Sequence, residues 1–151
     1  MEQIIKTIPE LEEFAKDFLK RLSATVDGAT VVGLSGELGS GKTAFVKAAA
    51  NALNISEAVL SPTFVIAKFY KIPEHTMWSR LVHLDAYRIA DPVELSALRW
   101  KSIVDDPRNL VFVEWPENIE KSFPCDAQTL AFRFIDEGTR SVSSSLLIPT
   151  H

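Results

Sequence analysis

The chain has 151 residues, the length of one domain that buries roughly 68–70% of the surface its unfolded chain exposes. Sixteen Lys and Arg against twenty Asp and Glu leave a net charge of −4 with no basic run. That argues against a chain that grips RNA or DNA unaided, because phosphate contacts dominate such binding. No apolar run approaches the ~20 residues that span a bilayer, and residues 1–6 lack the apolar region of a signal peptide. The one cysteine, Cys125, excludes an internal disulfide framework and fits a reducing compartment, so a cytoplasmic protein that needs no membrane is expected.

In chain order, Thr7-Ile8-Pro9-Glu10 has the T-x-x-E form of a capping box. Leu11, Phe14, Ala15, Phe18, Leu19 and Leu22 then recur at helical spacing, predicting an amphipathic helix near residues 8–22. Asp27-Gly28 turns the chain into Ala29-Thr30-Val31-Val32-Gly33-Leu34, a short apolar, β-branched run of the kind found in buried strands. A glycine-rich loop follows. Ala44, Phe45, Val46, Ala48, Ala49, Ala50, Ala52 and Leu53 then make a strong helix-forming segment. Residues 54–61 read as a connector, 63–70 as a strand, and 71–80 as a polar loop containing Pro73. Residues 81–84 are a short strand ending at Asp85. Asp91 caps a further helix, with Pro92 at its first position and Glu94 completing the box. Residues 110–113 are a continuous apolar strand ending in Glu114, and Cys125, beside Phe123 and Pro124, reads as a packing residue. Residues 129–135 and 141–148 flank Asp136-Glu137-Gly138-Thr139 as a β-hairpin. Strands alternating with helices early and pairing directly late predict an α/β fold of three layers. Its mixed, mostly parallel central sheet has helices on both faces and a C-terminal β-hairpin, and residues 1–151 form one domain.

The glycine loop carries the chemistry. Gly36-Glu37-Leu38-Gly39-Ser40-Gly41-Lys42-Thr43 fits G-x-x-x-x-G-K-[ST], the phosphate-cradling P-loop, between the strand and the helix that such a loop requires. Its glycines let backbone N–H groups turn toward an anion. Lys42 adds a cation at the outer phosphates, the Thr43 hydroxyl can ligate Mg²⁺, and the helix entering at Ala44 presents its positive end. The loop needs an acid at a neighbouring strand tip to hold the metal or orient a water. Glu114 and Asp85 both qualify. Spacing leaves open which of them touches the metal, and it leaves Asp85 the alternative of an ion pair with Arg88. Ser61-Pro62-Thr63-Phe64 reads equally as a switch segment sensing a γ-phosphate or as a turn whose hydroxyls bond nearby backbone.

The glycine loop, Ser61-Pro62-Thr63-Phe64, His83-Leu84-Asp85-Ala86-Tyr87-Arg88 and Val113-Glu114-Trp115-Pro116-Glu117 occur in this order and spacing. In that series the chain resembles the bacterial TsaE (YjeE) family over nearly its whole length. The resemblance implies an ATPase of tRNA N6-threonylcarbamoyladenosine biosynthesis that works with the partners TsaD and TsaB and meets tRNA through their complex. It implies ATP and Mg²⁺ as cofactors, Lys42 on phosphate, and Thr43 and Glu114 on the metal. Asp85 would support the metal or the attacking water, and Thr63 would belong to a switch. Trp115 is implied at the nucleotide or a partner, with a partly buried aromatic beside Pro116 as its plain alternative. The start of the first helix, near Glu12, is implied at the adenine end.

The competing expectation is a small-molecule kinase with a P-loop. Such enzymes need an arginine-bearing lid, and Arg88, Arg99, Arg108, Arg133 and Arg140 are widely dispersed along the chain. A GTPase is disfavoured because the chain has no N-K-x-D or D-x-x-G motif.

Overall fold

A computed structural model of the chain describes residues 2–25, 27–59, 67–73, 77–89, 91–125 and 127–144. The elements are β1 (Glu2–Ile5), α1 (Ile8–Arg21), β2 (Thr30–Ser35), α2 (Lys42–Ala52), β3 (Ala67–Lys71) and β4 (Arg80–Asp85). After them come α3 (Pro92–Ala97), α4 (Trp100–Asp105), β5 (Asn109–Glu114), a 3₁₀ segment (Pro116–Ser122), β6 (Gln128–Asp136) and β7 (Thr139–Ser144). The strands form one sheet in the order β1-β7-β6-β2-β5-β4-β3. β2 pairs in parallel with β5 and β6, and β4 in parallel with β5, so the four central strands point one way. β3 and β7 run against their neighbours, and β1 runs against β7. The expected mixed sheet, parallel at its centre and ending in a hairpin, is what the chain forms. Residues 63–66 and 145–148 of the expected strands lie outside the described residues.

The central strands are buried on both faces, which is why they read as apolar runs rather than alternating ones. Val32, Leu34, Leu110, Phe112, Leu130 and Phe132 pack with α1 and α2. Val31, Val82, Leu84, Val111 and Val113 pack with Leu95, Trp100, Ile103 and Ile119 on the opposite face. Phe45 centres the first layer, with the rings of Phe14, Phe18, Phe112 and Phe132 at centroid distances of 5.5–6.0 Å. Such aromatic pairs each add about 0.5–1.5 kcal/mol beyond area burial, so they pin α2, and the loop that enters it, to the sheet. The cap of α1 forms as expected: Thr7 Oγ1 accepts from the Glu10 N–H at 3.1 Å. Glu10 reaches back one residue further than a capping box requires, to the Lys6 N–H at 2.8 Å.

Four differences from the sequence reading have physical causes. β1 lacks a pattern because of its four residues only Ile5 is buried; backbone pairing to β7 makes the strand. α4 is separate from α3 because Arg99 takes a left-handed φ of 57°, with no glycine to announce the break. In the polar loop, Trp78 is fully buried and its Nε1 donates to Thr30 Oγ1 at 3.0 Å. Cys125 is exposed rather than packed. Among the described residues no helix is long and apolar enough to cross a membrane.

Candidate active site

The turn from β2 into α2 depends on its glycines. Gly36 has φ 142°, and a Cβ there would lie 2.4 Å from the Phe132 carbonyl oxygen and 2.7 Å from Ser40 Oγ. Gly41 precedes α2 with φ 109°, a conformation that side-chain-bearing residues rarely adopt. The Ser40 N–H donates to the Glu37 carbonyl at 3.2 Å. Ser40 itself is buried, and its Oγ has no hydrogen-bond partner among the described residues.

Strand register brings the acids to this loop. Glu114 is level with Leu34 on one side and with Asp85 on the other. The Ala86 N–H donates to the Glu114 carbonyl at 2.9 Å and the Trp115 N–H to the Leu34 carbonyl at 3.1 Å, locking the three strand tips together. Strand alternation puts His83, Asp85 and Glu114 on the face that carries α2. There Thr43 Oγ1 donates to both Glu114 oxygens, at 3.1 and 3.0 Å. His83 Nε2 approaches Glu114 Oε2 at 2.5 Å from the other side.

Lys42 is buried and folded back on its own loop: Nζ donates to the Gly36 carbonyl and, at 3.3 Å, to that of Glu37. It also lies 3.8 Å from the Trp115 ring centroid. Burial lowers its pKa, against the opposing pull of Glu114, Glu117, Asp85 and Glu37. Trp115 holds its place in a left-handed conformation, φ 62°, and packs against the half-exposed Tyr87 ring, 5.1 Å away. Asp85 is pushed above the usual carboxylate range by burial first and by Glu114. The Tyr87 N–H, which donates to its Oδ1 at 3.0 Å, opposes that rise, as do His83 and Lys42. Among the described residues the ion pairs do not include one between Asp85 and Arg88, so that alternative falls.

A cleft of about 530 Å³ runs from the glycine loop to the β1–α1 junction and the β6–β7 hairpin. Leu38, Gly39, Ser40, Gly41, Lys42, Thr43, Ala44, Asp85, Glu114 and Trp115, all expected at the site, line it. Gly36 and Glu37 contribute through the carbonyls that hold Lys42. Glu12 lies on the exposed side of α1; it is Thr7, Ile8 and Leu11 of this segment that reach the cleft. Thr63 lies outside the described residues.

Two further residues line the cleft, and a third, His83, stands behind Glu114. Thr7 lines the far end of the cleft. Arg140, remote in the chain, donates from Nε to the Gly39 carbonyl at 3.0 Å and ties the hairpin to the loop. Of the five dispersed arginines, Arg140 is the one among the described residues that lines the cleft. His83 carried a signal that could have been used, as a lone polar residue in an apolar strand, two positions before Asp85 and so on its face.

The donor set fits a hard divalent cation: a hydroxyl and a carboxylate already in contact, both oxygen ligands. Among the described residues no group of three or more His, Cys, Asp or Glu forms a protein cage. Mg²⁺ needs none, since it is commonly held by one or two protein ligands together with phosphate and water.

Comparison with known proteins identifies the family. The family described as threonylcarbamoyl adenosine biosynthesis protein TsaE matches residues 6–142. The tRNA threonylcarbamoyladenosine biosynthesis protein TsaE of Aquifex aeolicus is 33% identical over 144 residues, covering 94% of this chain and 96% of that protein. Its Rickettsia bellii counterpart is 31% identical over 136 residues, covering 89% and 90%. In three dimensions the chain is similar to the crystal structure of Bacillus subtilis YdiB, with TM-score 0.65 and 24% identity over 94% of this chain and 82% of that one. That likeness speaks for the fold.

Proposed function

Because the chain belongs to the TsaE family of threonylcarbamoyladenosine biosynthesis proteins, we propose that it is the ATP-binding, Mg²⁺-dependent ATPase of tRNA N6-threonylcarbamoylation. In this reading it is a P-loop protein of the cytoplasm acting with TsaD and TsaB, and it reaches tRNA through them. One observation carries the reading. The Thr43 hydroxyl meets both oxygens of Glu114 beside a buried Lys42, at the glycine-loop end of a cleft of about 530 Å³.

Each residue then has a task. The loop amides and Lys42 hold the phosphates, and Lys42 exchanges the Gly36 and Glu37 carbonyls for phosphate oxygens. Thr43 and Glu114 would hold Mg²⁺, which when bound supplies charge neutralisation at those oxygens. Asp85 is close to the pair, and burial makes its carboxyl more basic than an ordinary one. That suits it to orient an attacking water and take its proton. The nucleoside end occupies the apolar part of the cleft near Ile5, Ile8 and Leu11, with Thr7 and Arg140 as its polar neighbours.

The test is phosphate release from Mg-ATP by the purified chain, alone and with TsaD, TsaB and substrate tRNA, with modified adenosine measured in parallel. Slow release alone, rising roughly tenfold or more with the partners and accompanied by tRNA modification, is the expected result. Rapid transfer of phosphate to a small metabolite without partners would replace this reading with the kinase.

A further inference from the structure

We infer that His83 is a positioning residue for magnesium, acting through Glu114; the inference rests on the nucleotide reading above. His83 is fully buried in β4, in the layer with Leu81 and Phe112. An apolar residue would fill that place without the desolvation that an imidazole suffers there. Its Nδ1 has no hydrogen-bond partner among the described residues. The ring's polar contact is Nε2 to Glu114 Oε2 at 2.5 Å. An ionised carboxylate only accepts, so Nε2 is the donor in that state.

The arrangement separates two tasks. Glu114 is held from two sides, by Thr43 on α2 and by His83 on β4. Thr43 is itself a proposed metal ligand, so its hydroxyl cannot serve the carboxylate alone. His83 comes from the sheet and does not itself line the cleft; its hydrogen-bonding contact among the described residues is with Glu114, which does. It therefore fixes which way the carboxylate faces while the loop rearranges around phosphate. Partners that orient metal ligands in this way typically govern metal affinity by about 10- to 100-fold.

The test compares wild type, His83→Leu and His83→Gln by calorimetric titration with ADP and with ATP, each with excess EDTA and with Mg²⁺. His83→Leu is expected to bind magnesium-free nucleotide within about twofold of wild type and to lose about tenfold or more of the affinity that Mg²⁺ adds. His83→Gln, which keeps a side-chain donor, should recover part of that loss. A His83→Leu protein with the full magnesium gain overturns the inference. So does an equal loss with and without Mg²⁺, which would mark a merely structural residue. If wild type binds no nucleotide under either condition, the ATPase reading itself fails. A measurement on wild type covers the case of a variant that does not fold: the ¹⁵N signal of His83 Nε2 should move when Mg²⁺ is added to the ADP complex, and an unmoved signal overturns the inference.

Discussion

The side chain of Lys42 shows how a cation is kept ready in a buried place. Two backbone carbonyls and one indole face offset the cost of its burial. Lys42→Ala should lower ATP affinity or turnover by about a hundredfold or more; fluorescent-nucleotide titration and phosphate release check this, and unchanged values refute the phosphate role. Asp85 bears the opposite strain. Its folded pKa lies above the ordinary 3.8, so folding disfavours its charged form, and stability is lost as pH rises through that range. Asp85→Asn keeps an acceptor for the Tyr87 N–H and removes the charge. At neutral pH the nucleotide-free variant should melt about 1–3 °C higher than wild type while hydrolysing ATP more slowly. The difference in melting should vanish below the ordinary carboxyl range, and a lower Tm at neutral pH would count against the argument. Residues on local motifs were legible in advance: the loop names Lys42 and Thr43, and an apolar strand names the acid at its end. Thr7 and Arg140 were not, because only the closing of the sheet brings them to the cleft.

At the scale of elements, apolar runs and helical spacing foretold α1, β2, α2 and β5, since each buries a wide face. β1 and α4 escaped because their stability comes from partners. One is an edge strand held by the backbone of β7, and the other follows a left-handed arginine. The joint between β2 and α2 is the sharpest constraint on the site. At Gly36 an added Cβ would collide with the carbonyl of Phe132 on β6, so Gly36→Ala forces either the loop or β6 to shift. The variant should melt at least about 5 °C below wild type and lose ATP binding with it. Calorimetry and titration of the same sample check both, and retention of either would mean the loop adapts more readily than its contacts indicate.

Across the whole molecule, the cleft draws on parts remote in sequence: the β1–α1 junction, the glycine loop, the tips of β4 and β5, and the closing hairpin. A molecule lodged there touches both the interior of the sheet and its outermost strand. It would act as a clasp, and its binding free energy would be shared by a margin that otherwise rests on four backbone-paired residues. Deuterium uptake should accordingly slow in residues 2–8 when ATP is added, far from the phosphates and in a segment with little burial of its own. Uptake there that ignores the nucleotide would show that the edge frays independently of the site. If the clasp holds, the amino-terminal strand becomes a gauge of occupancy, tightening when the nucleotide arrives and loosening once it is spent.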